Sequence, residues 1–357
     1  VTNGVSVTHQ WEYATAIGGP YTAVVAGTPA GATYTGNTTT SLTVSSITAA
    51  STYYYRDAVT DAGNNCNDPF SGPTTLAVRA QPTVTAPTNT SMCVTSGTAS
   101  FSAPTSNCTT PTYQWQYSAT IAGTYTAVAP GTPAGAVYSG NTTTGLTVSG
   151  ITAAGTYYYR LAVTDLGNNC TDPFSAPASL TVRAQPTVAA PTAQTICVGG
   201  AGTMNAAASN GVSPTYQWQY ATALAGTYAS VADGTPAGAV YTGATTSSLT
   251  VSGITAAGTY YYRNAVTDAG SGCSDPFSAP AAFTVRPQTT VSTAANGTIC
   301  TGGSFAMPVT VTNGVTVTHQ WQYATAIGGP YASVVAGTPA GATYTGNTTT
   351  SLTVSSI

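Results

Sequence analysis

The sequence predicts an all-β chain made of tandem two-layer sandwiches, each about a hundred residues long, and three observations carry this reading. Trp11, Trp115, Trp218 and Trp321 recur at intervals of 104, 103 and 103 residues. Cys66, Cys170 and Cys273 keep the same step, as do Cys93, Cys197 and Cys300, so three independent markers share one period. Within each period, short runs rich in Val, Thr and Tyr are separated by Gly, Pro, Asn and Ser clusters, and no stretch shows a helical repeat of apolar residues.

Taking Ala80 to Ala184 as one unit, the strands follow in order. Thr83 to Thr85 reads TVT between two prolines. Thr98 to Ala103 (TASFSA) and Thr112 to Tyr117 (TYQWQY) alternate small or polar residues with aromatics. Tyr125 to Val128, Gly145 to Ser149 (GLTVS), Tyr157 to Thr164 and Ala178 to Val182 are β-branched or aromatic runs bounded by turn residues. Seven short strands in about a hundred residues point to a sandwich. The same division gives a partial unit at residues 1–79 lacking its first strands, whole units at 80–184 and 185–287, and a partial unit at 288–357 lacking its last strands.

A longer period lies over the first. Val1 to Ile47 matches Val311 to Ile357 at all but four positions, whereas adjacent units differ far more, so the sequence repeats most faithfully every 310 residues, or three units. The two partial ends carry the same strands twice over the 47 shared residues, so a head-to-tail exchange would leave strands over. The expectation is a window on a longer continuous polymer.

Composition narrows the function classes. Hydrophobic residues make up 42% of the chain, enough for packed cores, but only 4% of residues are charged, against about 25% in ordinary soluble domains. There is no lysine, and six Arg nearly balance nine acids. No basic field exists to attract phosphate backbones or anionic lipid, which excludes nucleic acid as a partner. A surface of Thr, Ser, Asn, Gly and Ala lacks the self-repulsion that keeps crowded proteins apart, and suits a polymer, a coat or a stalk. No window of about 18 apolar residues occurs, so membrane insertion is not expected of this segment. The first residues lack a signal-peptide pattern, which places any export signal outside it.

At "GLTVSGITAAGTYYYRLAV", Gly145 to Val163, the chain resembles an immunoglobulin-like domain, whose strands E and F commonly read S-L-T-I, a short link, then D-S-G-T-Y-Y-C. The resemblance implies that Tyr157, with its copies Tyr53 and Tyr260, is the corner tyrosine of strand F, and that Trp115, with Trp11, Trp218 and Trp321, is the buried Trp of strand C. Tyr159 stands where the family often has its strand-F cysteine. Phe101, Met204 and Met307, each fourteen residues before a Trp, stand in place of the strand-B cysteine. The pin between sheets is thereby expected to be apolar packing, with burial contributing roughly 1.5–3 kcal/mol per side chain. "ICVGG" at Ile196, "ICTGGS" at Ile299, "NNC" ending at Cys170 and "SGC" ending at Cys273 are similar to the tandem immunoglobulin-like repeats of large secreted bacterial surface and adhesin-type proteins.

Seven cysteines, six of them spaced with the repeat, imply disulfides and an oxidising compartment rather than a metal site, since no CxxC pair or His cluster accompanies them. The candidates are Cys66, Cys93, Cys170, Cys197, Cys273 and Cys300. Pairing inside a unit would join Cys93 to Cys170 and Cys197 to Cys273. In a sandwich, however, Cys93 lies at one end and Cys170 in a loop at the other, and in a linear array Cys93 would instead reach Cys273 and staple a joint. Both connectivities stand at this point. Cys108, present in one unit only, reads as a free thiol or an extra bridge.

Other candidate sites read as structural. His9 and His319 are the only histidines, and Tyr113 and Tyr216 take their place in the intervening units, so no Ser-His-Asp arrangement or catalytic base is expected, nor an enzyme. Asp165 and Asp172 share a loop, as do Asp61 with Asp68 and Asp268 with Asp275. Two carboxylates would be a sparse calcium site, because that ion takes six to eight oxygens. The competing account is turn capping, or neutralisation of Arg160 or Arg183. No other cofactor is implied. Gly131 to Thr144 reads as a turn-rich loop pinned by Tyr138. Asn37, Asn89, Asn107, Asn141, Asn169, Asn296 and Asn347 each begin an N-x-S/T triplet.

The functional expectation is a structural repeat protein, an extracellular or cell-surface filament, stalk or sheath whose partner is itself, through the continued polypeptide or identical chains. The alternative is an adhesin whose loops bind glycans or a partner surface.

Overall fold

Side-chain alternation along one long strand shows which faces meet. In Gly155–Asp165, Tyr159, Leu161 and Val163 are buried, while Tyr158, Arg160 and Ala162 between them are partly exposed. That period of two is what a sheet with one face on a core requires. The computed structural model describes residues 6–63, 67–167, 170–270 and 272–357. It is an all-β, tandem immunoglobulin-like fold, and every regular element described is a strand. The chain divides into two compact units, Val1–Ala184 and Gln185–Ile357.

In the first unit, residues 80–184 close into a two-layer sandwich. One layer is five-stranded, in the order Thr126–Ala127, Pro111–Ser118, Gly155–Asp165, Ala178–Arg183 and Thr90–Cys93. The last pair is parallel, with Cys93 opposite Arg183. The other layer runs Val137–Ser139, Gly145–Ser149 and Thr98–Ser102, and a short pair joins Thr83–Val84 to Thr105–Ser106. Trp115, Tyr159, Phe101, Leu146, Val148, Leu161 and Leu180 fill the space between the layers. Residues 6–79 form a four-stranded layer, Thr22–Ala23, Val7–Ala14, Ser51–Asp61 and Thr74–Val78, facing a pair, Thr33–Thr35 with Thr43–Ser45.

The second unit repeats the plan. Residues 185–287 carry a five-stranded layer built on Thr215–Ala221 and Gly258–Thr267 and a three-stranded one centred on Ser248–Ser252. The core volume is redistributed: where 80–184 has Phe101 on the small sheet and Leu180 on the large one, this domain has Met204 and Phe283. Phe283 stands edge-on to Tyr262 with ring centres 5.6 Å apart, while Phe101 lies 5.3 Å from Tyr159. An aromatic has changed sheets with little change in total volume, the kind of exchange a core tolerates. Residues 288–357 form the small sheet Thr343–Thr345, Ser351–Ser355 and Ser304–Pro308, with Gln322–Tyr323 paired to Ala332–Ser333.

Each Trp thus has a core of its own, but the four are not equally covered. Trp115 and Trp218 are fully buried, as are Phe101 and Met204. Trp11, Trp321 and Met307, expected in the core, are only partly buried. Among the described residues, Thr43–Ser45 has a partner on one edge only, and a cavity of about 280 Å³ opens between Trp11, Leu42, Val44, Tyr55 and Leu76. A cavity of about 500 Å³ lies beside Met307, Trp321 and Leu352, where the small sheet has all three strands but, among the described residues, Gln322–Tyr323 pairs on one edge only. The sequence reading also missed three elements of 80–184: Thr90–Cys93, Thr105–Ser106 and Val137–Ser139. The last lies inside the stretch read as a loop, so Tyr138 is a strand residue.

Trp115→Ala should remove about 3–5 kcal/mol from the 80–184 domain, as for other large-to-small changes at a fully packed site. Trp218→Ala should cost the 185–287 domain a comparable amount, because Trp218 is equally buried. Scanning calorimetry of the two variants checks both; a negligible loss in either would contradict the burial of its indole.

Candidate functional site

The most repeated constellation surrounds each Trp. Trp115 donates its backbone N–H to Asn141 O at 2.9 Å and its indole N–H to Thr143 O at 2.9 Å. The same indole bond, 2.9 Å in each copy, joins Trp11 to Thr39, Trp218 to Thr246 and Trp321 to Thr349. The accepting turn is held by Thr143, whose hydroxyl bonds Gly140 O and Gly145 O. Gly140 sits at φ +77°, where an added Cβ would collide with the Gly145 carbonyl.

Tyrosines span the two layers beside it. Tyr138 donates to Thr132 O at 2.7 Å and lies 3.1 Å from the Tyr159 hydroxyl on the opposite sheet. Tyr241 with Tyr262, at 3.0 Å, and Tyr34 with Tyr55, at 3.4 Å, are its copies. Burial pushes the Tyr138 and Tyr241 phenols up to about 12 despite that bond. Burial and the bond together push Tyr159 and Tyr262 higher still. These are neutral structural groups. Tyr157 donates to Ala153 O at 3.0 Å, as Tyr53 does to Ala49 O at 3.0 Å and Tyr260 to Ala256 O at 3.2 Å, the corner bond four residues back.

On the outer face, the Arg160 guanidinium lies 4.3 Å from the Tyr125 ring centre and 4.2 Å from that of Phe174, with Nε bonded to Gln116 at 2.8 Å. Arg263 is held the same way by Tyr228, Phe277 and Gln219. Arg56 has Tyr21, Phe70 and, in place of Gln, Glu12 at 2.8 Å. Such stacking contributes about 0.5–1 kcal/mol at exposed sites. The sequence reading missed these clamps, although the constant spacing of Arg, Tyr and Phe from domain to domain carried the signal.

The paired aspartates hold backbone. Asp165 accepts the N–H groups of Thr109 at 2.7 Å and Thr110 at 2.8 Å, while Asp172 accepts the Asp165 N–H at 2.9 Å. Asp268 does the same for Val212 and Ser213, with Asp275 behind it. Asp61 bonds Ser6 and Gly63, and Asp68 bonds the Asp61 N–H. Of the two accounts in the sequence, the geometry uses these carboxylates to fasten one loop to another, while Arg160 is held by Gln116 and two aromatic rings. No group of three His, Cys, Asp or Glu suited to a metal ion occurs among the described residues.

His9 Nδ1 lies 2.7 Å from Asp57 Oδ2, and both side chains are mostly buried. In the sandwich at 80–184 the same two places hold Tyr113 and Leu161, and in that at 185–287 Tyr216 and Asn264. The Tyr113 hydroxyl meets Thr105 at 3.0 Å and the Tyr216 hydroxyl accepts from Ala208 N–H at 3.4 Å. A position that works equally with His, Tyr, Leu and Asn is packing, not chemistry.

Cys93 is disulfide-bonded, yet Cys108 is a free thiol and the Cys170 S–H faces Ala80 O at 3.9 Å. Cys93 lies opposite Arg183, at the end where Gly155 pairs with Val182, and Cys170 follows Asp165 at the far end of that strand. Eleven residues of strand separate the two ends by on the order of 30 Å, far beyond the ~7 Å a bridge allows. Cys93 is therefore not joined to Cys170. In the second unit Cys273 is disulfide-bonded while Cys197 and Cys300 are free. Neither within-unit pair forms. Cys66 and Asn169 lie outside the described residues.

No family model matches this chain, and no curated protein matches it. Solved structures do. Drosophila OTK, extracellular domains 3–5, is 15% identical, with 79% of this chain and 86% of that chain covered at a TM-score of 0.36. The I-band fragment I67–I69 of titin is 10% identical over 78% and 89%, TM-score 0.40. The three N-terminal domains of the bacteriophage RB49 highly immunogenic outer capsid protein (Hoc) are 12% identical over 79% and 88%, TM-score 0.37.

Two outcomes follow. The backbone donors of Thr110 and Thr109 hold the Asp165 carboxyl below its ordinary value. A depressed carboxyl contributes stability that is present above the unfolded value, about 3.9, and is lost as pH falls through the folded one. Asp165→Asn should therefore destabilise at neutral pH, with the difference from the parent shrinking progressively below about pH 4 in a calorimetric pH series; a pH-independent difference would contradict the latch. A non-reducing peptide map should contain no peptide joining Cys93 to Cys170 or Cys197 to Cys273, and recovery of either would contradict the strand-length separation.

Proposed function

We propose that this chain is a structural repeat protein of an extracellular filament, stalk or sheath, without catalysis. The observation that carries the reading is the identity of the interactions from domain to domain. The Trp-to-turn bond, the tyrosine pair, the Arg clamp and the Asp latch recur in place, and each ties one part of a domain to another. Side chains with chemical potential are consumed in this way, and the positions that change between domains, His9 with Asp57 above all, lack the constancy a reaction or a shared ligand would demand.

Such domains suit association with like chains. The flank is Thr, Ser, Asn and Ala, and with 4% charged residues nothing opposes lateral approach of identical surfaces. Exposed Ile121, Phe174, Leu224 and Phe277 add apolar contact area to it. No helix among the described residues is long and apolar enough to cross a membrane. Disulfide bonding at Cys93 and Cys273 fits an oxidising location outside the cell.

Negative-stain microscopy of the native material should show unbranched filaments with beads spaced at one sandwich length. A glycan array with the same material should show no saturable binding to a single sugar class; such binding without filaments would replace this reading with the adhesin.

A further inference from the structure

The Asn residues that begin N-x-S/T triplets fall into two groups once their backbones are known. Asn107 sits at φ +61° and donates its side-chain amide to Gln81 O at 3.1 Å, so the fold uses it both for its left-handed backbone and for its amide. Asn210 and Asn313 repeat that role without the triplet. Asn89 accepts the Ser179 N–H at 2.8 Å, and Asn296 is its repeat copy.

Asn37, Asn141 and Asn347 are different. Each is exposed at the tip of the turn that grips the Trp, and none has a positive φ. Among the described residues their side-chain amides meet no hydrogen-bond partner. The fold needs only their backbone carbonyls, which accept the N–H of Trp11, Trp115 and Trp321 at 2.9–3.0 Å. The domain at 185–287 shows that the amide is dispensable, because Ala244 occupies the same position and still accepts the Trp218 N–H at 2.9 Å. Three domains therefore keep an outward amide for which the turn has no use, each followed two residues later by Thr39, Thr143 or Thr349.

We propose that Asn37, Asn141 and Asn347 are acceptors of an N-linked glycan. The step joins the Asn Nδ2 to the anomeric carbon of a sugar activated as a phosphate ester. The C–O bond to phosphate breaks, the phosphate leaves with that electron pair, and one amide proton is lost to solvent. The hydroxyl of Thr143 is satisfied inside the folded turn, so transfer acts on the unfolded chain during export. Folding then decides which modified chains mature. A sugar on Asn107 would crowd an amide that must reach Gln81, whereas one on Asn141 points to solvent. The proposal rests on the extracellular reading above.

Glycopeptide mass mapping of the native chain tests it. The peptides carrying Asn37, Asn141 and Asn347 are expected to bear hexose or N-acetylhexosamine, and those carrying Asn89, Asn107 and Ala244 to be bare. A single sugar would identify a nucleotide-linked donor and a uniform oligosaccharide a lipid-linked one. Three bare turn peptides would overturn the proposal, while microscopy of the same sample reads the filament independently. Asn141→Ala should lose its glycan and leave the unfolding temperature of the unmodified protein unchanged, as Ala244 implies. A clear drop in that temperature would mark Asn141 as a fold residue and overturn the premise.

Discussion

An indole N–H that meets a turn carbonyl twenty-eight residues further along is the constraint around which each domain is arranged. The Trp belongs to the large sheet, and the turn leads into the middle strand of the small one. Their bond fixes how the two layers face each other, and it does so without a covalent pin. Once that distance is set, Phe101 or Phe283 has a defined space to fill, and the tyrosine pair can close across the same gap at hydrogen-bond length. A buried polar group must find a partner or lose its hydration uncompensated. Here the partners are backbone carbonyls and other phenols, which need no counter-ion.

The same logic explains how so few charges suffice. Ordinary domains spend charges on the surface, where each contributes little. In this chain the Asp latches tie loops that have no regular ladder of their own, and Arg56, Arg160 and Arg263 are flattened between rings. A carboxylate accepting two backbone N–H groups is stronger than a surface ion pair, because charge-assisted bonds to fixed donors require little side-chain ordering. The surface is left to hydroxyls and methyl groups, and its neutrality follows from where the charges have gone as much as from their scarcity.

Much of the fold was legible in the sequence because it repeats. Periodicity identified the copies of Trp115, the resemblance to an immunoglobulin-like domain gave Trp115, Tyr157 and Phe101 their expected roles, and period-two patterning located the long strands. What escaped was short or irregular. Thr90–Cys93 and Val137–Ser139 are three or four residues long and lie among Pro and Gly, and each is a strand only because a neighbouring edge is available to pair with. Trp11 and Trp321 were assigned to cores by analogy with their copies, but burial depends on which strands cover them, and a repeat motif does not report that. The cysteine ends were readable from topology, since Cys93 and Cys170 flank opposite ends of one long strand. The Arg clamps bring together three residues far apart in sequence, and only their constant spacing from domain to domain marked them.

The flattened arginines bear on resistance to proteolysis. Proteases that cut after cationic side chains need that side chain extended into a pocket and the backbone around it unpaired. This chain offers them no lysine and only six arginines. Arg56, Arg160 and Arg263 lie on the central strand of a sheet, stacked on aromatic rings and hydrogen-bonded through Nε, so both requirements fail at once unless the domain first opens. Digestion at these three sites is thereby tied to global unfolding of the sandwich rather than to local fraying, and each domain would resist cleavage there for as long as it stays shut.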